Sequence, residues 1–277
     1  MSAPVQIWLN GRLLPAEEAR ISPFEHGLLV GDGAFETLAV RGGRIIGLHE
    51  HWQRLVRSCA ILGLNGMDEA EFAGAIEAVV QASGLSDARV RVTQTSGDGP
   101  LGSDRGAGQG TRLAAATALN RWPATEAVCL VPWTRNERGA LAGVKSISYA
   151  ENVIALAEAK RRGCGEALLA NTRGELCEGT GSNVFVVLDG RLHTPPLTSG
   201  CLAGVTRLLV LRACAEAGID CVETDLPIGV LERCEEAFLT SSTRDVHPIA
   251  RIDARELPAP GPLTRTVQAA YVAHLGT

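Results

Sequence analysis

Lysine is nearly missing from this chain of 277 residues: Lys145 and Lys160 are the only two, against 24 arginines. Positive charge has been supplied by arginine almost throughout, so each lysine calls for its own reason. Lys160 has a plain one. The run Ala159-Lys160-Arg161-Arg162-Gly163 reads as a basic last turn with a glycine stop, suited to the negative end of a helix dipole. Lys145 lies in Gly143-Val144-Lys145-Ser146-Ile147-Ser148-Tyr149 and has no such explanation. Arginine replaces lysine as a charge, but it cannot give up its proton to become a nucleophilic amine. Lys145 is therefore expected to serve amine chemistry, most simply as a Schiff base.

Other absences narrow the class further. No stretch approaches the roughly 20 apolar residues needed to span a bilayer. The N-terminal MSAPVQIWLNGRLLPAEE has no basic segment followed by an apolar run, so no signal peptide is read there and a cytoplasmic protein is expected. A net charge of -5 argues against a nucleic-acid or anionic-membrane surface. The cysteines at 59, 129, 164, 177, 201, 214, 221 and 234 form no CxxC pair and read as small buried hydrophobes in a reducing compartment. His193 and His247 have no partners at metal-ligand spacing, so no metal is expected. The glycines from Gly97 to Gly110 lack the Lys-Ser/Thr of a phosphate-binding loop and suggest an active-site flap or a plain surface loop.

What is present suffices for a large core: 45% of residues are hydrophobic and 21% charged, ordinary for a globular protein of one large or two smaller domains. Val5-Leu9 alternates and ends at Asn10-Gly11, a two-residue hairpin signal. Strands are expected at Ala34-Val40, Ile45-Leu48, Arg89-Thr95 and Arg112-Ala118, with helices at His49-Leu62 and Glu69-Ala82. Asn120-Thr125, with Pro123, is the candidate linker. Beyond it, strands are expected at Glu126-Val131, Glu166-Ala170, Asn183-Leu188, Cys221-Thr224 and Glu236-Thr240. Helices are expected at Ala150-Arg161, Val205-Ala217 and Leu263-His274. Helices interspersed with hairpins indicate an α+β (mixed α/β) fold: a small domain over 1–119, a linker over 120–125 and a large domain over 126–277.

Chemically specific residues are densest between Lys145 and Phe185: Lys145, Tyr149, Asn152, Glu178, Thr180, Ser182 and Asn183. A helix beginning just after the lysine would align Lys145, Tyr149 and Asn152 on one face. Lys-x-x-x-Tyr-x-x-Asn, Glu-Ala-Leu-Leu, Asn-x-x-Gly and Glu-Gly-Thr-x-Ser-Asn-Val-Phe follow in order. Gly31-Asp32-Gly33-Ala34-Phe35-Glu36, His51-x-x-Arg54-Leu55, Thr194-Pro195-Pro196-Leu197, Gly204-Val205-Thr206-Arg207 and Phe238-Leu239-Thr240-Ser241-Ser242-Thr243 lie around them. Together, over roughly residues 4 to 252, these closely resemble the fold-type IV (class IV) pyridoxal-phosphate enzymes. That family includes branched-chain and D-amino acid aminotransferases, R-selective amine transaminases and 4-amino-4-deoxychorismate lyase.

The resemblance implies roles. Lys145 would carry pyridoxal 5'-phosphate as a Schiff base and move the proton at the substrate Cα. Glu178 would face the pyridine nitrogen and Tyr149 the ring 3'-oxygen. Arg54, the amides of Val205 and Thr206 at a helix start, and Ser242 would bind the phosphate. Thr243 would border the substrate carboxylate, and Phe35 with Glu36 would form a substrate-facing wall. Arg91, Arg105 and Arg244 are candidate carboxylate clamps. The resemblance also implies a barrel-like sheet in the large domain, the cofactor in the cleft between the domains, and a homodimer.

Two reactions fit such a site. One is transamination between an amino acid and a 2-oxo acid. Here a D-amino acid or R-amine donor is favoured over an L-branched-chain donor, because Phe35-Glu36-Thr37 departs from a Phe-Glu-Gly pattern. The other is elimination of pyruvate from aminodeoxychorismate to give 4-aminobenzoate, suggested by the segment from Gly97 to Gly102 with Arg105. A cofactor-free lysine aldolase and a non-catalytic binding protein are the rivals from other classes.

Overall fold

The computed structural model describes residues 5–276; positions 1–4 and 277 of the expected domains fall outside them. The chain divides into two compact units, the first running to Asn120 and taking back Val144–Tyr149, the second made of Arg121–Gly143 and the chain from Ala150 onward. A single linker at 120–125 does not describe that return of the chain.

The first unit is an antiparallel sheet with two helices on one face. Its strands are β1 (Gln6–Leu9), β2 (Arg12–Pro15), β3 (Gly33–Arg41), β4 (Arg44–Ile45), β5 (Ala88–Thr95) and β6 (Arg112–Ala118), in the order β2-β1-β6-β5-β3-β4. Its helices are the single turn α1 (His26–Leu29), α2 (Leu48–Leu62) and α3 (Glu69–Ser83). Asn10 and Gly11 take φ of 48° and 85°, the left-handed pair that a two-residue hairpin requires. The strand expected over Ile45-Leu48 stops at Ile45. Gly47 turns the chain at φ 63° and α2 starts at once, so Leu48 joins the helix. Asp68 caps α3 by accepting a bond from Glu71 N at 2.8 Å.

Alternation along β5 sends Val90 and Val92 to the helix side, where they meet Leu38, Leu55, Phe72 and Ile76. Each such fully buried side chain contributes about 1.5–3 kcal/mol. The opposite face carries Phe35, Arg89, Arg91 and Thr93. Val144–Tyr149 runs beside β3, with Phe35 N donating to Lys145 O and Ile147 N to Gly33 O, both at 2.9 Å. The glycine-rich loop after β5 is pinned rather than loose. His26 Nε2 donates to Pro100 O at 2.9 Å, and Arg105 grips Asp32 through two bonds of 2.7 and 2.6 Å.

The second unit is a mixed half-barrel sheet with helices packed on it. In chain order its elements are β7 (Glu126–Arg135), α4 (Ala150–Arg161), β8 (Glu166–Asn171), β9 (Leu176–Gly179), β10 (Asn183–Leu188), β11 (Arg191–Thr194), α5 (Val205–Glu216), β12 (Cys221–Glu223), β13 (Glu236–Ser241), β14 (Asp245–Ile252), β15 (Arg255–Glu256) and α6 (Pro262–Leu275). The order is β12-β11-β10-β13-β14-β7-β8-β9, with β15 on β14. β7, α4 and β8 form a parallel crossover in which Ala155 and Ala159 allow close approach to Cys129, Ala167 and Leu169. Inside, Leu168, Val184, Leu239 and Ile249 form the core, and Phe185 stacks on Phe238 at 4.9 Å.

All eight cysteines are free thiols, seven of them buried. Among the described residues no helix is long and apolar enough to cross a membrane, and no cluster of His, Cys, Asp and Glu could hold a metal ion.

Candidate active site

The amine of Lys145 lies in the first unit, over the aromatic face of Phe35. Its Nζ is 4.5 Å from the ring centroid, the Arg91 guanidinium carbon is 3.8 Å from it, and Tyr149 meets the same ring edge-on at 5.3 Å. β-sheet geometry explains the grouping. Phe35 pairs with Thr93, and Arg91 sits two residues along β5 on the same face. The condition of a helix beginning just after the lysine is not met: Lys145 is held against β3, and α4 begins at Ala150, where the helix over Ala150–Arg161 is expected. Lys145 and Tyr149 are near each other because both meet Phe35. Asn152 belongs to the first turn of α4 and donates to Thr180 O.

Glu36 is not part of a substrate-facing wall. Successive strand residues point to opposite faces, so with Phe35 on one side Glu36 enters the helix side, where it is fully buried. Its Oε1 accepts from Arg54 Nε at 2.8 Å, and its Oε2 accepts from Arg54 Nη2 and His51 Nδ1, both at 2.6 Å. Burial pushes the Glu36 carboxyl up, but the charges and hydrogen bonds of Arg54 and His51 outweigh it and bring it down to about 2. Burial, with the nearby Arg54 and Lys145 charges, holds His51 below the usual imidazole range against the pull of Glu36. One edge of the Arg54 guanidinium is thus fixed by a carboxylate, a link for which the sequence pattern gave no signal.

The candidate clamps separate. Arg91 stands beside Lys145. Arg105 is committed to Asp32, whose hydrogen bond raises its pKa. Arg244, in the second unit, lies buried with its guanidinium carbon 4.0 Å over Trp122 and Nη1 3.4 Å from Glu166.

In the second unit Glu178, the penultimate residue of β9, is buried. Its Oε1 accepts from Arg135 Nε and its Oε2 from Leu202 N, both at 2.9 Å. Arg135, the last residue of β7, is a neighbour that sequence reasoning missed. Val205 and Thr206 open α5 as expected, and Gly204 before them gives no side-chain cap to the first-turn amides. Glycine lets Asn183 approach closely there: a Cβ would lie 1.9 Å from Asn183 Oδ1. Ser242 and Thr243 occupy the turn between β13 and β14, closed by Arg244 N donating to Ser241 O at 3.1 Å.

Taken unit by unit, the groups present each suit a part of pyridoxal phosphate. In the second unit a helix start without a side-chain cap suits a phosphate, and so do the hydroxyls of the Ser242–Thr243 turn. A buried carboxylate suits a ring N–H, and an amine on an aromatic face suits an aldehyde.

The model of the class IV aminotransferase family matches residues 33–252. A putative branched-chain-amino-acid aminotransferase of Methanocaldococcus jannaschii is 33% identical over 91% of this chain and 89% of its own length. A D-alanine aminotransferase of Bacillus licheniformis is 31% identical over 96% and 95%. The crystal structure of a branched-chain aminotransferase from Thermoproteus uzoniensis with norvaline superposes with a TM-score of 0.92 at 30% identity, covering 99% of this chain and 96% of that one. The chain belongs to the class IV aminotransferases, enzymes that work with pyridoxal 5'-phosphate.

Proposed function

We propose that this enzyme moves an amino group from an α-amino acid to a 2-oxo acid, with Lys145 as the amine that holds the cofactor and as the acid/base at the substrate Cα. The observation carrying this reading is the grouping of Lys145, Tyr149 and Arg91 around Phe35. When bound, pyridoxal phosphate supplies the electron sink for the charge left at Cα once its proton is removed. Lys145 would take that proton and hold it for return across the substrate nitrogen, which a residue with a permanent charge cannot do. Arg91 binds the substrate carboxylate, with Thr243 as a further donor. The Phe35 face seats the reacting carbon and excludes water. Glu178, oriented by Arg135, accepts from the ring nitrogen, and Tyr149 bonds the ring oxygen. Arg54, oriented by Glu36, shares the phosphate with the amides of Val205 and Thr206 and with Ser242.

For the donor, the Phe35-Glu36-Thr37 sequence and the D-alanine aminotransferase relative support a D-amino acid or R-amine. The branched-chain relatives support an L-branched-chain donor as the second reading. A homodimer accords with the exposed Phe24, Leu28 and Val30, and the unpaired thiols accord with a cytoplasmic setting.

The test uses purified protein with D- and L-amino acids plus 2-oxoglutarate or pyruvate, beside Lys145→Ala. Transfer from amino acid to oxo acid, lost in the variant together with visible absorbance, is expected. A fully active, still yellow Lys145→Ala protein would overturn the assignment. Release of 4-aminobenzoate from aminodeoxychorismate without an acceptor would replace transamination by lyase chemistry.

A further inference from the structure

We propose that Glu166 and Arg244 are positioning residues: a buried pin that ties the loop after Glu178 to the Ser242–Thr243 turn. Glu166 opens β8 and is almost fully buried. Its Oε1 accepts from Thr180 N at 3.1 Å, from Ala167 N at 3.2 Å and from the Thr180 hydroxyl. Its Oε2 accepts from Ser182 Oγ at 3.3 Å and lies 3.4 Å from Arg244 Nη1. Glu126 Oε2 approaches the same nitrogen at 3.8 Å, and Trp122 covers the guanidinium. Glu126 packs closely against Gly165, where a Cβ would fall 2.2 Å from its carboxylate oxygen. The Arg244 guanidinium lies under the indole with its Nη1 at ion-pair distance from both carboxylates, though hydrogen-bonded to neither.

The pin matters because of what it joins. Thr180 and Ser182 belong to the turn closed by Gly179 N donating to Ser182 O at 2.8 Å, immediately after Glu178. The next residue, Asn183, reaches Leu202 O at 2.9 Å and packs against Gly204 at the start of α5. Arg244 follows Ser242 and Thr243 directly. One carboxylate therefore sets the return of the chain from Glu178, while its arginine sets the turn that carries the two hydroxyls. Neither touches the reacting atoms. Their effect on the cofactor rests on the function proposed above, whereas their effect on the two loops does not.

The test compares Glu166→Gln, Arg244→Leu and Arg244→Lys with the parent by amide hydrogen exchange, with and without pyridoxal phosphate, and by the rate of cofactor release. Removing hydrogen bonds to a charged group should speed exchange by about tenfold or more in residues 179–183 and 241–244, without matching change in the core of β10. Cofactor release should accelerate by a similar factor, with partial rescue in Arg244→Lys. If Glu166→Gln does not fold, Thr180→Val removes one arm of the pin alone and should loosen 179–183. Exchange that is unchanged, or raised evenly over the whole unit, overturns the proposal. Loosened loops with unaltered release overturn the positioning role. Failure of the parent to bind pyridoxal phosphate would sink the functional reading, while exchange still decides whether the pin exists.

Discussion

Replacing Glu36 by Gln tests whether a buried charge cluster orients Arg54. The carboxylate receives three short bonds, two from Arg54 and one from His51, and all three side chains are buried. Glutamine keeps the shape, but it removes the charge and turns an amide NH2 toward groups that are themselves donors. Breaking a buried pair from one side costs about 3–5 kcal/mol, because the remaining charge stays uncompensated. At about 2–4 °C per kcal/mol for a chain of this size, the unfolding midpoint should fall by on the order of 10 °C. A second variant, Glu36→Leu with His51→Leu and Arg54→Met, removes the whole cluster. Well-packed apolar replacements of buried ion groups are often neutral or stabilising by about 1–4 kcal/mol. It should regain the parent midpoint while binding pyridoxal phosphate poorly, since Arg54 is gone. Calorimetry and cofactor titration of both proteins provide the readout. The pH dependence gives an independent check. A folded carboxyl at about 2, below its ordinary 4.5, stabilises above the ordinary range, and that contribution is lost as pH falls toward about 2. The gap between parent and Glu36→Gln should therefore close over that window. His51 adds a further loss as pH drops through about 6.5, where the unfolded imidazole takes its proton first. An unchanged midpoint for Glu36→Gln, or a gap that ignores acid, would refute the reasoning.

Gly204→Ala puts a Cβ onto Asn183 Oδ1, so the Asn183 side chain, with its bond to Leu202 O, or the start of α5 must shift; a loss of about 1–3 kcal/mol and weaker cofactor binding are expected. Parental affinity in that variant would count against the α5 amides as phosphate ligands. Asp32→Asn removes the carboxylate gripped by Arg105, an exposed pair contributing up to about 1 kcal/mol. Limited proteolysis should cut the 97–110 loop faster with little change in midpoint; equal rates would mean that the His26 contact to Pro100 holds the loop alone. Burial raises the thiols of Cys59 and Cys201 to about 11 and that of Cys129 to about 12, so these three should react slowly with a disulfide reagent at neutral pH in the native protein and fully once unfolded. Rapid reaction of several thiols in the native state would contradict that burial.

Where local rules suffice, the sequence was readable to the residue. Asn10-Gly11 makes its hairpin, and Arg112–Ala118, Asn183–Leu188 and Ala150–Arg161 have the expected bounds. The central strand β14 was missed because Pro248 interrupts a run that otherwise alternates. The structure accommodates it where pairing with β7 has not yet begun, since that register starts at Ile249. β11 was missed although Asp189 and Gly190, at φ 50° and 71°, carry the same hairpin signal as Asn10-Gly11. Glu36 was legible too, because neighbours on one strand cannot share a face, and family resemblance obscured that rule. Other features lie beyond any local reading. Lys145 is held by hydrogen bonds to Phe35 and Ser58, far earlier in the chain, and Arg135 meets Glu178 only through the order of β7, β8 and β9.

The scarcity of lysine follows from what the arginines do. Arg54, Arg105 and Arg135 each hold a carboxylate through the planar fork or its Nε edge, and Arg244 lies between two. Lysine in those places would supply a point charge without fixed orientation. At position 145 the requirement is reversed. Orientation comes from the backbone, through the bond from Phe35 N to Lys145 O, and the side chain must be able to lose its proton. Lys145→Arg isolates that property. The guanidinium keeps a cation over Phe35 beside Arg91, so the unfolding midpoint should stay near the parent value, whereas Lys145→Ala removes the cation as well. Amino transfer should vanish in both, and borohydride in the presence of pyridoxal phosphate should label neither at residue 145. If Lys145→Arg retained turnover at the parent rate, charge rather than proton exchange would be the function of the residue, and the composition of the chain would have pointed to the right lysine for the wrong reason.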